Sequence, residues 1–157
     1  MPPTSCAECG ATLADGRPCR DHFHDLLLLE WEIPGASASI LHMYAVGTYA
    51  LQHPSGMGDT AGALASLRDI LAEALERCPS VAEVRRRLAA GAGRFQRRPG
   101  DPIPAGPGPP WPLTVADVCT AETFGEVDTF EGYGERVEAW ARSTVDRLGP
   151  LFAAPGA

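Results

Sequence analysis

Lysine is absent from these 157 residues: the 13 basic side chains are all arginine. Schiff-base catalysis and a Walker-type phosphate loop are thereby excluded, since each needs an amine at a fixed place. Metal, histidine, carboxylate and cysteine chemistry remain. Long apolar runs are lacking too. The longest is the four leucines of residues 26–29, far short of the ~20 residues that cross a bilayer. The opening Met1-Pro2-Pro3-Thr4-Ser5 has neither the basic region nor the apolar stretch of a secretory signal. A cytoplasmic location without membrane contact is therefore expected. A basic surplus is also missing. The formal net charge of −7 speaks against a nucleic-acid partner held by phosphate neutralisation. Five cysteines, an odd number, fit a disulfide framework poorly.

Cysteine and histidine carry the chemistry that is present. The chain reads Cys6-Ala7-Glu8-Cys9-Gly10, then Cys19, then His22 and His24, with His42 and His53 further on. A Cys-x-x-Cys knuckle turned by a glycine places two thiolates on one cation, and Cys19 supplies a third. This donor set points to zinc as the cofactor. A redox Cys-x-x-Cys would follow a strand and open directly into a helix, whereas Gly10 and a loop follow this one. Cys78 and Cys119 stand alone and are expected to be small buried hydrophobes.

Apolar periodicity is helical from Cys19 onward. Phe23, Leu26, Leu27 and Trp31 recur at helical spacing until Pro34-Gly35 stops the run. A second helix is expected over 39–52, ended by His53-Pro54 because the residue before proline avoids the α region. On it His42, Val46, Tyr49 and His53 form one stripe, taken to face inward. A third helix covers 60–77 and buries Leu64, Leu67, Leu71 and Leu75. Ser80 and Glu83 form a capping box opening a fourth, which ends near Gly91. Residues 97–112 are a proline-glycine connection without packed structure. A short helix at 114–119 precedes a last one over 132–148, with Val137, Trp140, Ala141, Thr144 and Leu148 inward and Gly149-Pro150 as its stop. No repeat or strand is legible. The expected fold is all-α: one domain, 1–157, forming a helical bundle of four to five helices with a zinc-stapled N-terminal loop. Its parts are the knuckle loop 1–18, helical hairpins 19–96, the connection 97–112 and C-terminal helices 113–152.

The short turn at Pro34-Gly35 makes the first two helices antiparallel. Cys19 then lies opposite Gln52, His24 opposite Gly47, and Glu30 near Leu41 and His42. His53 leads as fourth ligand to Cys6, Cys9 and Cys19, with His24, His22, His42 and an open position as alternatives. The dipole of the first helix favours an ionised Cys19. Three thiolates make a poor Lewis acid, so the zinc is expected to be mainly structural.

Glu30, His42 and Tyr49, with His24, are candidate catalytic residues. A carboxylate, imidazoles and a phenol around a pocket between the first two helices suit proton transfer on a small-molecule substrate. The alternative is a buried polar network that fixes helix register in a non-catalytic module. Such a module would meet a protein partner through the proline-rich segment and the arginines. Arg85, Arg86, Arg87, Arg94, Arg97 and Arg98 crowd one stretch, and Glu122, Glu126, Asp128, Glu131, Glu135 and Glu138 another. The two faces are expected to attract each other, unless the arginines meet an anionic ligand or partner.

The Cys6-to-Ala11 head, Cys19, and the run from Leu41-His42 to Tyr49-Ala50-Leu51-Gln52-His53-Pro54-Ser55 resemble a bacterial family of unknown function. Its members pair a Cys-x-x-Cys-Gly-Ala head with a Tyr-Ala-x-Gln-His-Pro helix. Residues 114–118 and the Val137-x-x-Trp140-Ala141 helix resemble that family's C-terminal half. The resemblance marks Cys6, Cys9, Cys19, His42, Gln52 and His53 as signature positions and implies no reaction. Gly47 departs from it, since many members carry an acidic residue there, and this speaks against a shared hydrolytic site. A looser, fold-level similarity links the bundle to DinB-like metalloenzymes, whose three-histidine spacing this chain lacks.

Overall fold

Punctuation residues set the helix ends. Pro18, at φ −70° and ψ 154°, is extended and starts helix α1 (Cys19–Glu32). Ile33 ends it, and Gly35 at φ +83° takes a conformation that costs other residues a clash with their own Cβ. Ser39 caps α2 (Ile40–Gln52) by accepting a hydrogen bond from Leu41 N at 3.2 Å. His53, ahead of Pro54, closes it, and a single 3-10 turn follows at Pro54–Gly56. Helix α3 is Thr60–Arg77. Helix α4, Val81–Ala90, starts at the expected cap, where Ser80 Oγ accepts from Glu83 N at 3.2 Å. Helix α5 is one turn, Val115–Val118, with Asp117 reaching back to Thr114 N at 2.7 Å. Helix α6 is Phe130–Phe152. The computed structural model describes residues 3–56, 60–91, 110–119 and 129–152.

The fold is predominantly helical, as expected, with six α-helices among the described residues. Central α2 packs against α1, α3 and α6. Helix α6 also rests on α3, α5 bridges α1 and α6, and α4 leans on α3 alone among these larger contacts. Trp140, Tyr133, Val137 and Leu148 of α6 meet Leu26, Leu51 and Leu71 in the fully buried centre. Among the described residues no helix is long and apolar enough to cross a membrane.

Several expectations need correction. Residues 1–18 are not all loop: β1 (Thr4–Ser5) pairs antiparallel with β2 (Thr12–Leu13), a ladder too short to show alternation in sequence. Trp31 is 77% exposed. The buried stripe of α1 is Cys19, Phe23, Leu26, Glu30 and Ile33, so a carboxylate holds the core position that hydropathy assigned to its neighbour. Helix α6 runs through Gly149-Pro150. A proline in the last turn forfeits one hydrogen bond, and Gly149 lies beside Arg68, where a Cβ would sit 3.2 Å from the guanidinium.

The connection 97–112 lies mostly outside the described residues, but its end is packed. Trp111 is buried, with the Arg147 guanidinium 5.3 Å from its ring centre. Cys119 is buried as expected, and burial pushes its thiol up to about 11. Cys78 is exposed instead, at φ +45° after α3.

Candidate metal centre and the adjoining groove

The two-stranded ladder presents its connecting loop as the knuckle. Gly10 N donates to Cys6 O at 2.8 Å and Cys6 N to Ala11 O at 2.9 Å, a tight turn that Gly10 completes at φ +76°. Cys6 and Cys9 thereby point one way, toward Cys19 at the first turn of α1. The antiparallel α1–α2 hairpin brings the end of α2 to the same place. The donor atoms of Cys6, Cys9, Cys19 and His53 all lie within 4.8 Å of one another. Cys9 Sγ and Cys19 Sγ are 3.5 Å apart, and Cys6 Sγ is 3.7 Å from His53 Nε2. Zinc at its usual bond lengths separates tetrahedral donors by about 3.5–3.8 Å. The donors therefore fit a tetrahedral ion.

The surroundings fix the ligands. His53 Nδ1–H donates to Tyr49 O at 2.9 Å, which leaves Nε2 bare as the ligating nitrogen. Its ring stacks on Tyr49, and Tyr49 stacks on Phe23, with centroids 4.0 Å apart in each pair. Ala11 N donates toward Cys9 Sγ at 3.5 Å. A hydrogen bond from Cys19, with help from His53 and Ala11 N, pulls the Cys9 thiol well below its ordinary value against the opposing effect of burial. Cys19 is pushed up in turn, first by that same hydrogen bond and then by burial and its neighbouring sulfurs. Crowded thiols of this kind cannot all ionise without a cation among them.

The other histidines are engaged or distant. His22 Nε2 pairs with Asp15 at 3.0 Å. His24 is exposed on α1 and is not among the groove-lining residues described below. His42 bonds Glu30. The metal set is three thiols and one imidazole at the end of the α1–α2 hairpin, unlike the histidine-rich centre the DinB-like analogy implies.

Glu8, inside the knuckle, carried no sequence expectation. Its carboxylate accepts from Ser55 N at 2.8 Å and Ser55 Oγ at 2.9 Å, clamping the loop to the turn after His53. The Glu between the cysteines and the Ser after His-Pro were the only cues. Glu8→Ala is expected to weaken metal affinity about tenfold or more, as measured by competition with a chelator. Unchanged affinity would remove Glu8 from the site.

Glu30, 1% exposed, accepts from His42 Nδ1 at 2.6 Å and from Tyr133 OH at 2.5 Å. The first contact was expected from the hairpin register; Tyr133, on a distant helix, was not. The Glu30 hydrogen bond raises the pKa of His42. His42 is therefore expected to titrate above its usual ~6.5 in an NMR titration, and to fall back in Glu30→Gln. The folded state holds this proton more tightly than the unfolded chain does. The associated stability is therefore full below the unfolded pKa and fades as pH rises through the folded one. Glu30→Gln should flatten that slope of thermal stability.

The stripe His42, Val46, Tyr49 and His53 faces inward only in part: His53 is buried and Tyr49 stacks on core Phe23, whereas His42 and Val46 are exposed. The core side of α2 is Leu41, Tyr44, Ala45, Thr48, Leu51 and Gln52. Gln52 Nε2 donates to Leu113 O and Thr144 Oγ1 at 2.8 and 2.9 Å. The stripe lines a groove of about 480 Å³ between α2, α3 and α4. The groove is bounded by α3 and α4 instead of α1; it includes His42 and Tyr49 but neither His24 nor Glu30. Gly47 lines it beside Leu67, Leu71 and Met43, each 3.7–3.8 Å from where a Cβ would stand. An acidic side chain there would meet leucines.

Arg87 pairs with Glu73 and Glu138 with Arg142, so these charges find near neighbours instead of each other's cluster. Arg94, Arg97, Arg98, Glu122, Glu126 and Asp128 lie outside the described residues. Comparison with curated proteins and with solved structures gave no match. A family model described as "Family of unknown function (DUF5946)" matches residues 4–149, and the chain belongs to that family.

Proposed function

We propose that the protein holds one structural zinc at Cys6, Cys9, Cys19 and His53, and binds a small molecule in the α2–α4 groove for proton transfer at His42. The observation that carries this is a buried carboxylate fixing an imidazole at the edge of a ligand-sized cavity. Glu30 occupies Nδ1 and leaves Nε2 for a ligand, and Tyr133 holds Glu30 in place. Glu30 is thus a positioning residue and His42 the acid–base. Tyr49 walls the groove; burial, then the nearby sulfurs, raises its phenol, so it stays protonated as a donor. His42 and His53 are eleven residues apart on one helix, about 16 Å at 1.5 Å per residue. That distance separates the chemistry from the metal.

The second function is a non-catalytic module in which Glu30, His42 and Tyr133 only lock helix register. The tie from Glu30 to Tyr133 favours it. The two are told apart by incubating the zinc-loaded protein with a metabolite extract and following the mixture by mass spectrometry. The enzyme consumes species that His42→Gln leaves untouched, while both proteins carry equal zinc. Equal consumption by both removes His42 from the chemistry. Retention without conversion assigns the module.

A further inference from the structure

We propose that the α2–α4 groove takes an unbranched aliphatic carboxylate, with its chain along α2 and its acid group at His42 and Arg85. This rests on the groove being the ligand site. Its walls are Met43, Val46, Ala50, Leu67, Val84 and Leu88, a surface that hydrocarbon fills and hydrogen-bonding ligands do not. Polarity is confined to its ends, and the ends differ.

At one end stand His42 and Arg85, close enough that the Arg85 charge acts on the His42 imidazole. Arg85 is exposed and has no ion-pair partner among the described residues, although acids outnumber bases in this chain by 20 to 13. Arg17, Arg77, Arg87 and Arg142 each have a carboxylate. Glu30 engages only Nδ1 of His42 and raises its pKa, whereas burial and the neighbouring Arg85 lower it; an anion between the two would offset the Arg85 charge and accept from Nε2–H. An anion is the complement of that pair.

At the other end the rings of Tyr49 and His53 stack, and both His53 nitrogens are committed, one to Tyr49 O and one to the thiol cluster. The Tyr49 phenol is the polar group left at that end, a neutral donor with no cation beside it to hold an acid group, so the alkyl tail is placed there. Size agrees with this polarity. A volume of about 480 Å³ falls within the ~300–1,000 Å³ range of small-molecule sites, room enough for a chain of about a dozen carbons. The ~16 Å from His42 to His53 along α2 suits the same length in extended form. Helix α4 stands on α3 and leaves the space beside α2 open.

Isothermal titration of the zinc-loaded full chain tests this with dodecanoate, octanoate and dodecanol, all below their aggregation concentrations. Dodecanoate is expected to bind one to one, and octanoate at least tenfold more weakly, since each buried methylene removed costs affinity. Arg85→Glu should weaken dodecanoate at least tenfold and leave dodecanol as it was. Val46→Glu, which sets a charge on the chain's path, should weaken both. Equal affinity for dodecanol and dodecanoate, with Arg85→Glu indifferent, overturns the anion site while leaving the groove as a ligand site. Absence of binding by all three overturns the ligand class, and the metabolite-extract comparison still decides the groove itself.

Discussion

Cys6→Ser combined with Cys9→Ser is expected to abolish zinc binding and to lower the melting temperature by on the order of 10 °C. Protein purified without chelator should carry close to one zinc per chain, and the double variant close to none. Structural zinc sites contribute ~10 kcal/mol or more where the metal alone holds a domain together. Here the contacts of α2, α3 and α6 survive its loss, so only part of that is forfeited. At about 2–4 °C per kcal/mol for a chain of this size, a loss of a few kcal/mol gives the stated shift. Hydrogen exchange should quicken in residues 3–18, where the four-residue cluster and the Glu8–Ser55 clamp add to the burial of Ala11 and Leu13 and the Arg17–Asp25 pair in holding the segment. Exchange in the Val137–Trp140 core should stay slow. Zinc at full occupancy in the double variant would sink the metal assignment.

Tyr133→Phe is the second large expected effect, about 2–3 kcal/mol of destabilisation in urea unfolding. The phenol donates to a carboxylate that is 1% exposed, and phenylalanine fills the same space without the donor. Glu30 would then be buried with His42 as its remaining donor. His42→Gln should cost less, because that side chain is about half exposed and water can replace part of what it loses. Glu30→Leu with Tyr133→Phe should recover much of the deficit, since removing both partners leaves no buried charge short of a donor. A single Tyr133→Phe within about 0.5 kcal/mol of wild type would mean the hydroxyl carries no such weight.

The gathering of Cys6, Cys9, Cys19 and His53 was legible because its rules are local. Cys-x-x-Cys-Gly defines a knuckle, and a short interhelical turn fixes which residues meet across a hairpin, which placed His53 and the Glu30–His42 pair. Misreadings arose where a distant partner decides the outcome. Glu30 sits in the core stripe of α1 because Tyr133, 103 residues away, satisfies it; hydropathy gave that place to Trp31. Helix α2 is apolar on most sides, with Ile40, Leu41, Met43, Tyr44, Ala45 and Val46 interrupted only by His42, so periodicity could not tell its core face from its groove face. The groove exists because α4 makes its larger contact with α3, a choice of docking no single helix encodes. The strands β1 and β2 escaped notice because two residues cannot display a period of two.

All four ligands lie within the first 53 residues, whereas the helix that fills the core, α6, comes last. During synthesis the cluster can close as soon as His53 leaves the ribosome, before α6 exists. The metal would then hold α1 and α2 in their final register while the surface awaiting Tyr133, Val137 and Trp140 is still bare. Chains that pause or end at this stage present an ordered hairpin with an uncovered apolar face, the kind of intermediate that chaperones bind and that aggregates when they are scarce. On the zinc reading proposed above, metal supply during translation would bear on how much protein reaches its final form.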